Sequence, residues 1–431
     1  MNRILLILLC SVLWLFKAQA DVAWNDSTAV VSDDGSVTLR CYAPDAKRVW
    51  LEGSVLPKKQ KMHRNGDYWT YRLDSLPSEL YTYRFLTGKH TSIPEKTGKG
   101  VMRDVEKYYH YFIVPGDTTQ YFFDREVPHG RLEYVWYPST LNGMSQRRMA
   151  VYLPHGYEDG NIVAECDTTT KKANRYPVLY LLHGSGGDET AWADAGRACQ
   201  IFDNMIADGR IKPMIVVMPN GNVELDAAPG ESPWMDKEPS SSNIASMTGK
   251  VELAFAKEVV GYVDKHYRTL TDKSQRAIAG LSLGGLHTIY ISANNPDMFD
   301  YVGLFSAQAT NMLDDRKLLM ISRAQRNLKR VKQAWGIIFN FMPSESIYDE
   351  KLSDVMAYGD FESKLARQFQ NPPKVYYIAI GNQDLLLLFN KKLMEKLDAG
   401  EYKYEFHLTP GAHSWDNWRH YLVDFLPKLN F

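Results

Sequence analysis

Arg276-Ala-Ile-Ala-Gly-Leu-Ser-Leu-Gly-Gly285 is the stretch from which the fold of this chain can be deduced. Its first half predicts a short buried strand, and its second half is a G-x-S-x-G turn around Ser282. In such a turn the serine hydroxyl is exposed above a sheet, and the glycines are needed because a Cβ would collide with neighbouring backbone. The residues after Ser282 predict a helix whose N-terminus favours negative charge at the serine. Because the motif is common by chance, its meaning depends on partners elsewhere in the chain.

A glycine-rich loop lies upstream of this turn. The apolar run Tyr176–Leu182 is typical of a strand covered on both faces of a parallel sheet. The run His183-Gly-Ser-Gly-Gly187 follows at once, and its glycines let the backbone turn sharply and present N–H groups to an anion. Its position before the serine turn indicates an oxyanion hole. We predict that the two donors are the N–H groups of Ser185 and Leu283.

An acid and a base follow the serine in the order Ser–Asp–His. The predicted strand Val375–Ile380 is followed by Asp384, and the predicted strand Tyr404–Leu408 is followed by His413. Side chains just beyond the carboxyl ends of parallel strands lie on the same rim of a sheet. We therefore predict a catalytic triad of Ser282, Asp384 and His413.

Other residues compete for these roles. His407 is an alternative base, but its position within a strand favours a packed histidine. Asp416 is too close to His413 in sequence to orient its ring easily. His183 and His287 adjoin the site, yet both lie on elements whose backbone has its own role there.

Strands and helices alternate from about residue 119 to the C-terminus. Ile215–Met218 and Tyr301–Phe305 predict further buried strands, and Val251–Tyr267 has apolar residues at helical spacing. Two opening strands are predicted from Val127 and from Gln146. This alternation predicts an α/β domain with a doubly wound, mostly parallel sheet.

The segment before this domain has a different pattern. Between about residues 24 and 115, short segments with alternating polarity are separated by turn residues at near-regular spacing. This pattern is typical of a β-sandwich. We expect the sandwich to occupy residues 21–118 and the α/β domain to occupy residues 119–431. The many aromatic residues of the predicted sandwich either stack on a glycan or fill its core, and the alternation of polarity favours the second interpretation.

Composition bounds the classes of function. The chain has 431 residues, of which 45% are hydrophobic, so it can bury a sizeable core and form more than one domain. Its formal net charge of -1 gives no reason to expect a nucleic-acid partner.

Residues 1–20 predict a secretory signal. Arg3 is followed by the apolar run Ile4–Phe16 and by the cleavage pattern Ala18-Gln-Ala20. A lipoprotein signal at Cys10 is the alternative, but too short an apolar segment precedes it. No later stretch reaches the roughly 18 apolar residues of a membrane span. We expect an exported protein, periplasmic or secreted, without a stable membrane span.

Three cysteines remain after the signal: Cys41, Cys166 and Cys199. An odd number allows at most one disulfide, for which Cys166 and Cys199 are candidates, or buried free thiols. No cysteine or histidine pairs have metal-ligand spacing, so we expect neither a metal nor a cofactor.

Four segments together resemble the esterase-D-like branch of the α/β-hydrolases, and more narrowly carbohydrate esterase family 1, which contains feruloyl and acetylxylan esterases. They are Tyr176–Trp192, Val216–Gly221, Gly280–Gly285 and Gly411–Trp415. The resemblance implies an α/β-hydrolase fold and a triad at Ser282, Asp384 and His413.

The segment before the α/β domain resembles the immunoglobulin-like early-set domains related to family 48 carbohydrate-binding modules. The phrases that carry this resemblance are Gly35–Pro44 and Gly66–Tyr71. Enzymes of this type in gut bacteria often carry such a domain in front.

Two features depart from the family pattern. The residue after the serine is often Met and is Leu283 here, which keeps the backbone N–H that the oxyanion role needs. Residues 308–373 also form a longer insertion with a basic run between Arg316 and Lys332. This insertion is either a lid that shapes the acyl or sugar site or a solvated helical face.

The expected reaction is ester hydrolysis through an acyl-enzyme, without a cofactor. The expected substrate is a feruloyl or acetyl ester of a plant cell-wall polysaccharide such as xylan. Trp192, Trp234 and Trp415 are candidates to line an aryl or sugar subsite. The alternatives are a siderophore-ester hydrolase or acyltransferase on the same scaffold, and a catalytically idle glycan-binding protein. The sequence does not indicate an oligomeric state.

Overall fold

The computed structural model describes residues 28–88, 91–93, 100–104, 107–157, 174–231, 249–309 and 356–431. The predicted secretory signal, Cys166 and Trp234 lie outside the described residues, as does most of the 308–373 insertion. Among the described residues, no helix is long and apolar enough to cross a bilayer.

Packing divides the described chain into two units. The first comprises the residues up to Met102 together with Tyr108–Thr119. The second comprises Arg103–Lys107 and the residues from Gln120 to Phe431.

Short antiparallel strands form the first unit. In the described residues they make two sheets, one with the order β1-β2-β6-β5 and one with the order β4-β3-β7-β10-β9, to which β8 adds by pairing with β7. The strands are β1 (Ala29–Val31), β2 (Val37–Tyr42), β3 (Val49–Glu52), β4 (Gln60–Lys61), β5 (His63–Asn65), β6 (Tyr68–Leu73), β7 (Glu79–Thr87), β8 (Thr91–Ile93), β9 (Val101–Asp104) and β10 (Lys107–Val114).

Alternation along these strands places the apolar side chains inside the first unit. On β2, Val37, Leu39 and Cys41 are buried, while the residues between them are partly exposed. Trp69 and Tyr83 are buried in the same core, so these two aromatics fill the unit. The immunoglobulin-like classification of this all-β region stays a prediction.

An eight-stranded sheet organises the described part of the second unit, with the order β11-β12-β14-β13-β15-β16-β17-β18. The first two strands are antiparallel to their neighbours, and the strands from β14 to β18 are mutually parallel. The strands are β11 (Arg131–Pro138), β12 (Gln146–Leu153), β13 (Val178–Leu182), β14 (Ile215–Pro219), β15 (Arg276–Leu281), β16 (Tyr301–Phe305), β17 (Val375–Gly381) and β18 (Glu405–Thr409).

The central strands are buried along their whole length. Every residue of β13, β14, β15 and β16 is buried, which requires cover on both faces of the sheet. The predicted α/β class with a mostly parallel sheet is therefore confirmed. The first strand begins at Arg131 rather than at the predicted Val127. Pro128 has no N–H to pair, and the N–H of Gly130 donates to Asp203 instead.

Helices connect these strands. The helical segment from Lys250 to His266 contains a π-helical turn at Ala256–Val260, which lies within the predicted helix Val251–Tyr267. The α-helices of the described residues are α1 (Ala191–Asp194), α2 (Ala198–Ala207), α3 (Lys250–Phe255), α4 (Gly261–His266), α5 (Leu283–Asn294), α6 (Phe361–Gln370), α7 (Leu387–Ala399) and α8 (Trp415–Phe425).

Candidate active site

The turn at Ser282 joins β15 to α5. Ser282 has φ 53° and ψ -115°, a backbone conformation that side chains rarely adopt. A Cβ on Gly280 would lie 2.2 Å from the carbonyl oxygen of Gly284. A Cβ on Gly284 would lie 2.5 Å from the carbonyl oxygen of Leu182. The glycines are therefore needed for the reason that the sequence predicts: neighbouring backbone fills the space of a side chain.

Ser282, His413 and Asp384 form a continuous hydrogen-bond chain. His413 Nε2 lies 3.0 Å from Ser282 Oγ. On the other side of the ring, His413 Nδ1 lies 2.9 Å from Oδ2 of Asp384. The Asp384 side chain is 0% exposed, and its Oδ1 also accepts the N–H of Leu386 at 2.8 Å. The carboxylate holds the proton on Nδ1, so the lone pair of Nε2 faces the serine hydroxyl.

The fold brings Asp384 and His413 together because they follow adjacent parallel strands. Gly381 at the end of β17 is paired with Thr409 at the end of β18. The N–H of Gln383 donates to the carbonyl of Gly411 at 2.9 Å. A Cβ on Gly381 would lie 2.3 Å from that same carbonyl oxygen. The two loops touch through backbone, and a glycine at position 381 is what allows this approach.

His183 clamps the glycine-rich loop. Its Nδ1 lies 2.8 Å from the carbonyl oxygen of Gly184, and its Nε2 accepts the N–H of Gly221 at 2.8 Å. Nε2 can accept only when it is unprotonated, so the ring is neutral with its proton on Nδ1. Burial lowers the pKa of His183 to about 4, which keeps the ring in this state.

This clamp sets the direction of a predicted oxyanion donor. The carbonyl of Gly184 and the N–H of Ser185 belong to one peptide plane and point to opposite sides of it. Fixing that carbonyl on His183 therefore fixes the N–H of Ser185. The loop lies against Ser282, since a Cβ on Gly184 would be 3.1 Å from the Cβ of Ser282.

Glu189 anchors the other end of the same loop. Its carboxylate accepts hydrogen bonds from Nε of Arg148 at 2.6 Å, from Nδ2 of Asn220 at 2.9 Å and from the N–H of Ala228 at 2.9 Å. Burial raises the pKa of Glu189, and the neighbouring charge of Asp188 adds to the effect. Sequence reasoning missed this residue because its partners come from distant segments.

Comparison with known proteins places this chain in a family. The model of the family described as "Putative esterase" matches residues 142–429. The chain belongs to this esterase family. It is 34% identical over 295 residues to the endo-1,4-beta-xylanase/feruloyl esterase of Xylanibacter ruminicola, which is 64% of this chain and 36% of that protein. It is 23% identical over 304 residues to endo-1,4-beta-xylanase Y of Acetivibrio thermocellus, which is 67% of this chain and 22% of that protein.

The chain spans about a third or less of the length of these two relatives. A solved structure of the enterobactin esterase from Shigella flexneri is similar to this chain with a TM-score of 0.57 at 15% identity. That likeness covers 91% of this chain and 93% of the other. It shows that the two share the α/β-hydrolase fold.

The tryptophans predicted to line a subsite have different surroundings. Trp192 is 1% exposed, and its Nε1 donates to the carbonyl of Leu182 at 3.0 Å. The prediction that it lines the substrate subsite is corrected, because its buried ring has no surface to offer. Trp415 is partly exposed and packs edge-on against Trp192 and Trp418, each at 5.2 Å. Trp234 lies outside the described residues.

Asp104 supports the loop that carries His413. It belongs by packing to the second unit, and its Oδ1 accepts a hydrogen bond from Nε1 of Trp415 at 3.1 Å. Burial raises the pKa of Asp104. Sequence reasoning missed this contact, because Asp104 precedes the expected domain boundary and lies more than 300 positions from Trp415.

Two competing residues have other partners. His407 packs against Tyr377 at 4.7 Å, and its nearest acidic partners are Glu405 and Asp424. Asp416 accepts a hydrogen bond from Arg419. Neither residue contacts His413 or Ser282 in the described hydrogen bonds.

A buried ion pair fixes α5 from behind. His287 Nδ1 lies 2.8 Å from Oε1 of Glu252, and the hydroxyl of Tyr358 donates to the same oxygen at 2.7 Å. Burial alone would raise the pKa of Glu252. The charge and hydrogen bond of His287 outweigh burial, so the pKa lies below its ordinary value.

No three His, Cys, Asp or Glu side chains form a metal-binding cluster within the part of the chain that the structure describes. Cys199 is a free thiol.

Proposed function

We propose that this chain is a serine carboxylic-ester hydrolase that removes feruloyl or acetyl groups from plant cell-wall polysaccharide such as xylan. The observation that carries the proposal is the hydrogen-bond chain from Asp384 through His413 to Ser282. A serine hydroxyl in this arrangement is activated because the imidazole can take its proton as it attacks.

The reaction has two steps. His413 takes the proton of Ser282, whose oxygen bonds to the ester carbonyl carbon, and then gives that proton to the leaving alcohol. Water loses a proton to His413 and attacks the carbonyl carbon of the acyl-enzyme. His413 then returns that proton to the oxygen of Ser282 as the acid leaves. Asp384 stabilises the imidazolium in both steps.

The proposed oxyanion donors are the N–H groups of Ser185 and Leu283. The N–H of Leu283 lies in the first turn of α5, where the helix dipole adds to its effect. A donor of this kind typically stabilises the transition state by about 3 kcal/mol.

The substrate class has weaker support than the reaction. It comes from the relative named endo-1,4-beta-xylanase/feruloyl esterase and from the aromatic surroundings of His413, where Trp418 packs edge-on at 4.9 Å and Trp415 lies next to it. Such a substrate lies outside the cell, which agrees with the predicted export signal at residues 1–20.

Substitution of the nucleophile tests the reaction class. Ser282→Ala should lower kcat on methyl ferulate and 4-nitrophenyl acetate by at least about 10³-fold and abolish labelling by a fluorophosphonate probe. Ser292→Ala is the matched control: it lies in the same helix, and its hydroxyl donates to the carbonyl of Ile289. Turnover by Ser282→Ala at the wild-type rate would contradict the proposal.

A panel of esters tests the substrate class. We expect feruloyl or acetyl esters of xylo-oligosaccharides to have the highest kcat/KM. Highest activity on an aryl siderophore ester, or acyl transfer to added sugar in preference to water, would assign the scaffold to a different substrate.

A further inference from the structure

Two large aromatic side chains are exposed on the first strand of the sheet. Tyr134 is 44% exposed and Trp136 is 37% exposed. They are two positions apart on β11 and therefore point to the same side of the sheet. In the described sheet β11 pairs only with β12, so it is an edge strand. Edge strands usually carry charged or short polar side chains, and two exposed rings at such a place call for a partner.

The two rings rest on one immobilised guanidinium. Trp136 is directly paired with Arg148 across β11 and β12. The guanidinium carbon of Arg148 lies 4.9 Å from the ring centre of Tyr134 and 5.9 Å from that of Trp136. Arg148 is itself 6% exposed and is fixed by hydrogen bonds to Glu189 and Glu231. Cation–π contact on a fixed cation holds both rings in place.

The register of the sheet puts these rings on the catalytic rim. Leu182 is paired with Gly280, Met149 with Pro219, and Val135 with Met149. The strand β11 runs in the same direction as β14, since both are antiparallel to β12. Trp136 therefore lies at the carboxyl edge of the parallel strands, the edge from which Ser282 projects.

The distance along the sheet from the aromatic pair to Ser282 suits a polymeric substrate and is too long for a small ester. Four strand-to-strand steps separate β15 from β11 in the order of the sheet. At roughly 4.8 Å per step, the aromatic pair lies about 19 Å along the rim from the strand that carries Ser282. An acyl group in the active site cannot reach this far, but a sugar chain attached to it can.

We propose that Trp136 and Tyr134 form a remote subsite for the sugar chain of a polysaccharide ester. Pyranose rings present C–H groups on their faces, which stack on aromatic rings, while hydroxyls project from their edges. Glu231 is 61% exposed beside the rings and can accept hydrogen bonds from such hydroxyls. The two rings are linked through side chains to the glycine-rich loop His183–Gly187, because Arg148 donates to Glu189, which anchors that loop.

The inference rests on the proposed ester hydrolase function, and its test separates the two. The full-length chain and the variants Trp136→Ala, Tyr134→Ala and the double variant are assayed on methyl ferulate and on feruloylated arabinoxylan. We expect the ratio of kcat/KM on the polymer to kcat/KM on the small ester to fall about tenfold in the double variant, mainly through KM. Trp136→Phe, which keeps a ring, should restore most of that ratio.

Leu408→Ala provides the matched control. Leu408 is a 52% exposed apolar side chain on β18, the strand at the opposite end of the described sheet. Its removal should leave the ratio unchanged. An equal loss on both substrates in the aromatic variants would show that the rings act through Arg148 and the loop, and would overturn the subsite. An unchanged ratio would overturn it as well.

Binding without turnover supplies an independent measurement. In the Ser282→Ala background, migration through a native gel that contains soluble arabinoxylan should be retarded, and the aromatic substitutions should remove that retardation. If the aromatic variants were retarded as strongly as the Ser282→Ala protein, the subsite would be refuted. This conclusion would hold even if the parent protein hydrolysed no ester. A different result would be that the aromatic variants lose self-association of the protein while polymer binding stays intact. That result would assign the rings to a protein–protein contact and overturn the proposal.

Discussion

Acidification should destabilise this esterase through His183. The folded protein holds the ring neutral, and burial lowers its pKa from 6.5 to about 4. Between these two values the unfolded chain binds a proton that the folded chain does not. The stability that depends on the neutral ring is therefore complete above pH 6.5 and is lost as the pH falls toward 4.

The size of the effect follows from the difference in pKa. A shift from 6.5 to about 4, at about 1.4 kcal/mol for each pH unit, corresponds to about 3 kcal/mol of unfolding free energy. A loss of this size is a large fraction of the stability of an ordinary domain. The charged groups that act on the ring from neighbouring elements are Asp188, His287 and Arg147.

A non-titrating variant isolates this contribution. In His183→Asn, the side-chain amide can still donate to the carbonyl of Gly184, but the N–H of Gly221 loses its acceptor. At pH 7 the variant should be less stable than the wild type by roughly 1–3 kcal/mol because a buried donor is left unpaired. Between pH 7 and pH 4 the wild type should lose about 3 kcal/mol more than the variant.

Urea unfolding of both proteins at pH 7, 5.5 and 4 measures this difference. Other groups that titrate in the same range are present in both proteins and cancel when the two free energies are subtracted. A difference that stays constant across the three pH values would refute the neutral clamp. A wild-type advantage that grows as the pH falls would show that His183 is protonated in the folded chain.

Three further predictions follow from the site. Asp384→Asn should lower kcat by about 10⁴-fold, with a KM close to that of the wild type, because an amide no longer fixes the imidazole tautomer; a near-normal kcat would move the orienting role elsewhere. Gly284→Ala should lower the unfolding free energy by about 3 kcal/mol or more, since its Cβ meets the carbonyl of Leu182 at 2.5 Å. The control Gly221→Ala, whose nearest atoms lie 3.5 Å away, should cost less than about 1 kcal/mol in thermal melts, and equal costs would contradict the steric argument. Cys199, whose pKa is raised to about 12 by desolvation, should be alkylated by iodoacetamide at pH 8 far more slowly in the native protein than in urea, and equal rates by peptide mapping would contradict the raised pKa.

The parts of the site that depend on local rules could be predicted from the sequence. A glycine–serine–glycine turn after an apolar run requires a particular backbone path, and the structure has that path at Ser282. Asp384 and His413 could be paired because adjacent parallel strands end on one rim. The positions of these three side chains follow from strand order, which alternation of strands and helices already indicates.

The supporting contacts could not be predicted, because they join segments that no local pattern connects. Glu189 meets Arg148 only because β12 runs antiparallel beside β14. The sequence around Trp192 does not indicate whether its ring faces the substrate or the core. Only the phase of the short helix α1 decides, and it turns the ring inward. Asp104 reaches Trp415 across a sequence separation that composition cannot reveal.

Reaction and specificity therefore place different demands on the chain. The proposed reaction needs Ser282 on a strained backbone that costs of order 1–3 kcal/mol. That strain is sustained by backbone contacts: the N–H of Ser282 donates to Phe305, and the carbonyl of Ser282 accepts from Gln308. Contacts of this kind constrain a few glycines and the strand order, and leave most side chains free to vary. Substitution of side chains farther along the rim, such as Trp136, is therefore expected to change the proposed polymer binding without disturbing the hydrogen-bond chain of Ser282, His413 and Asp384.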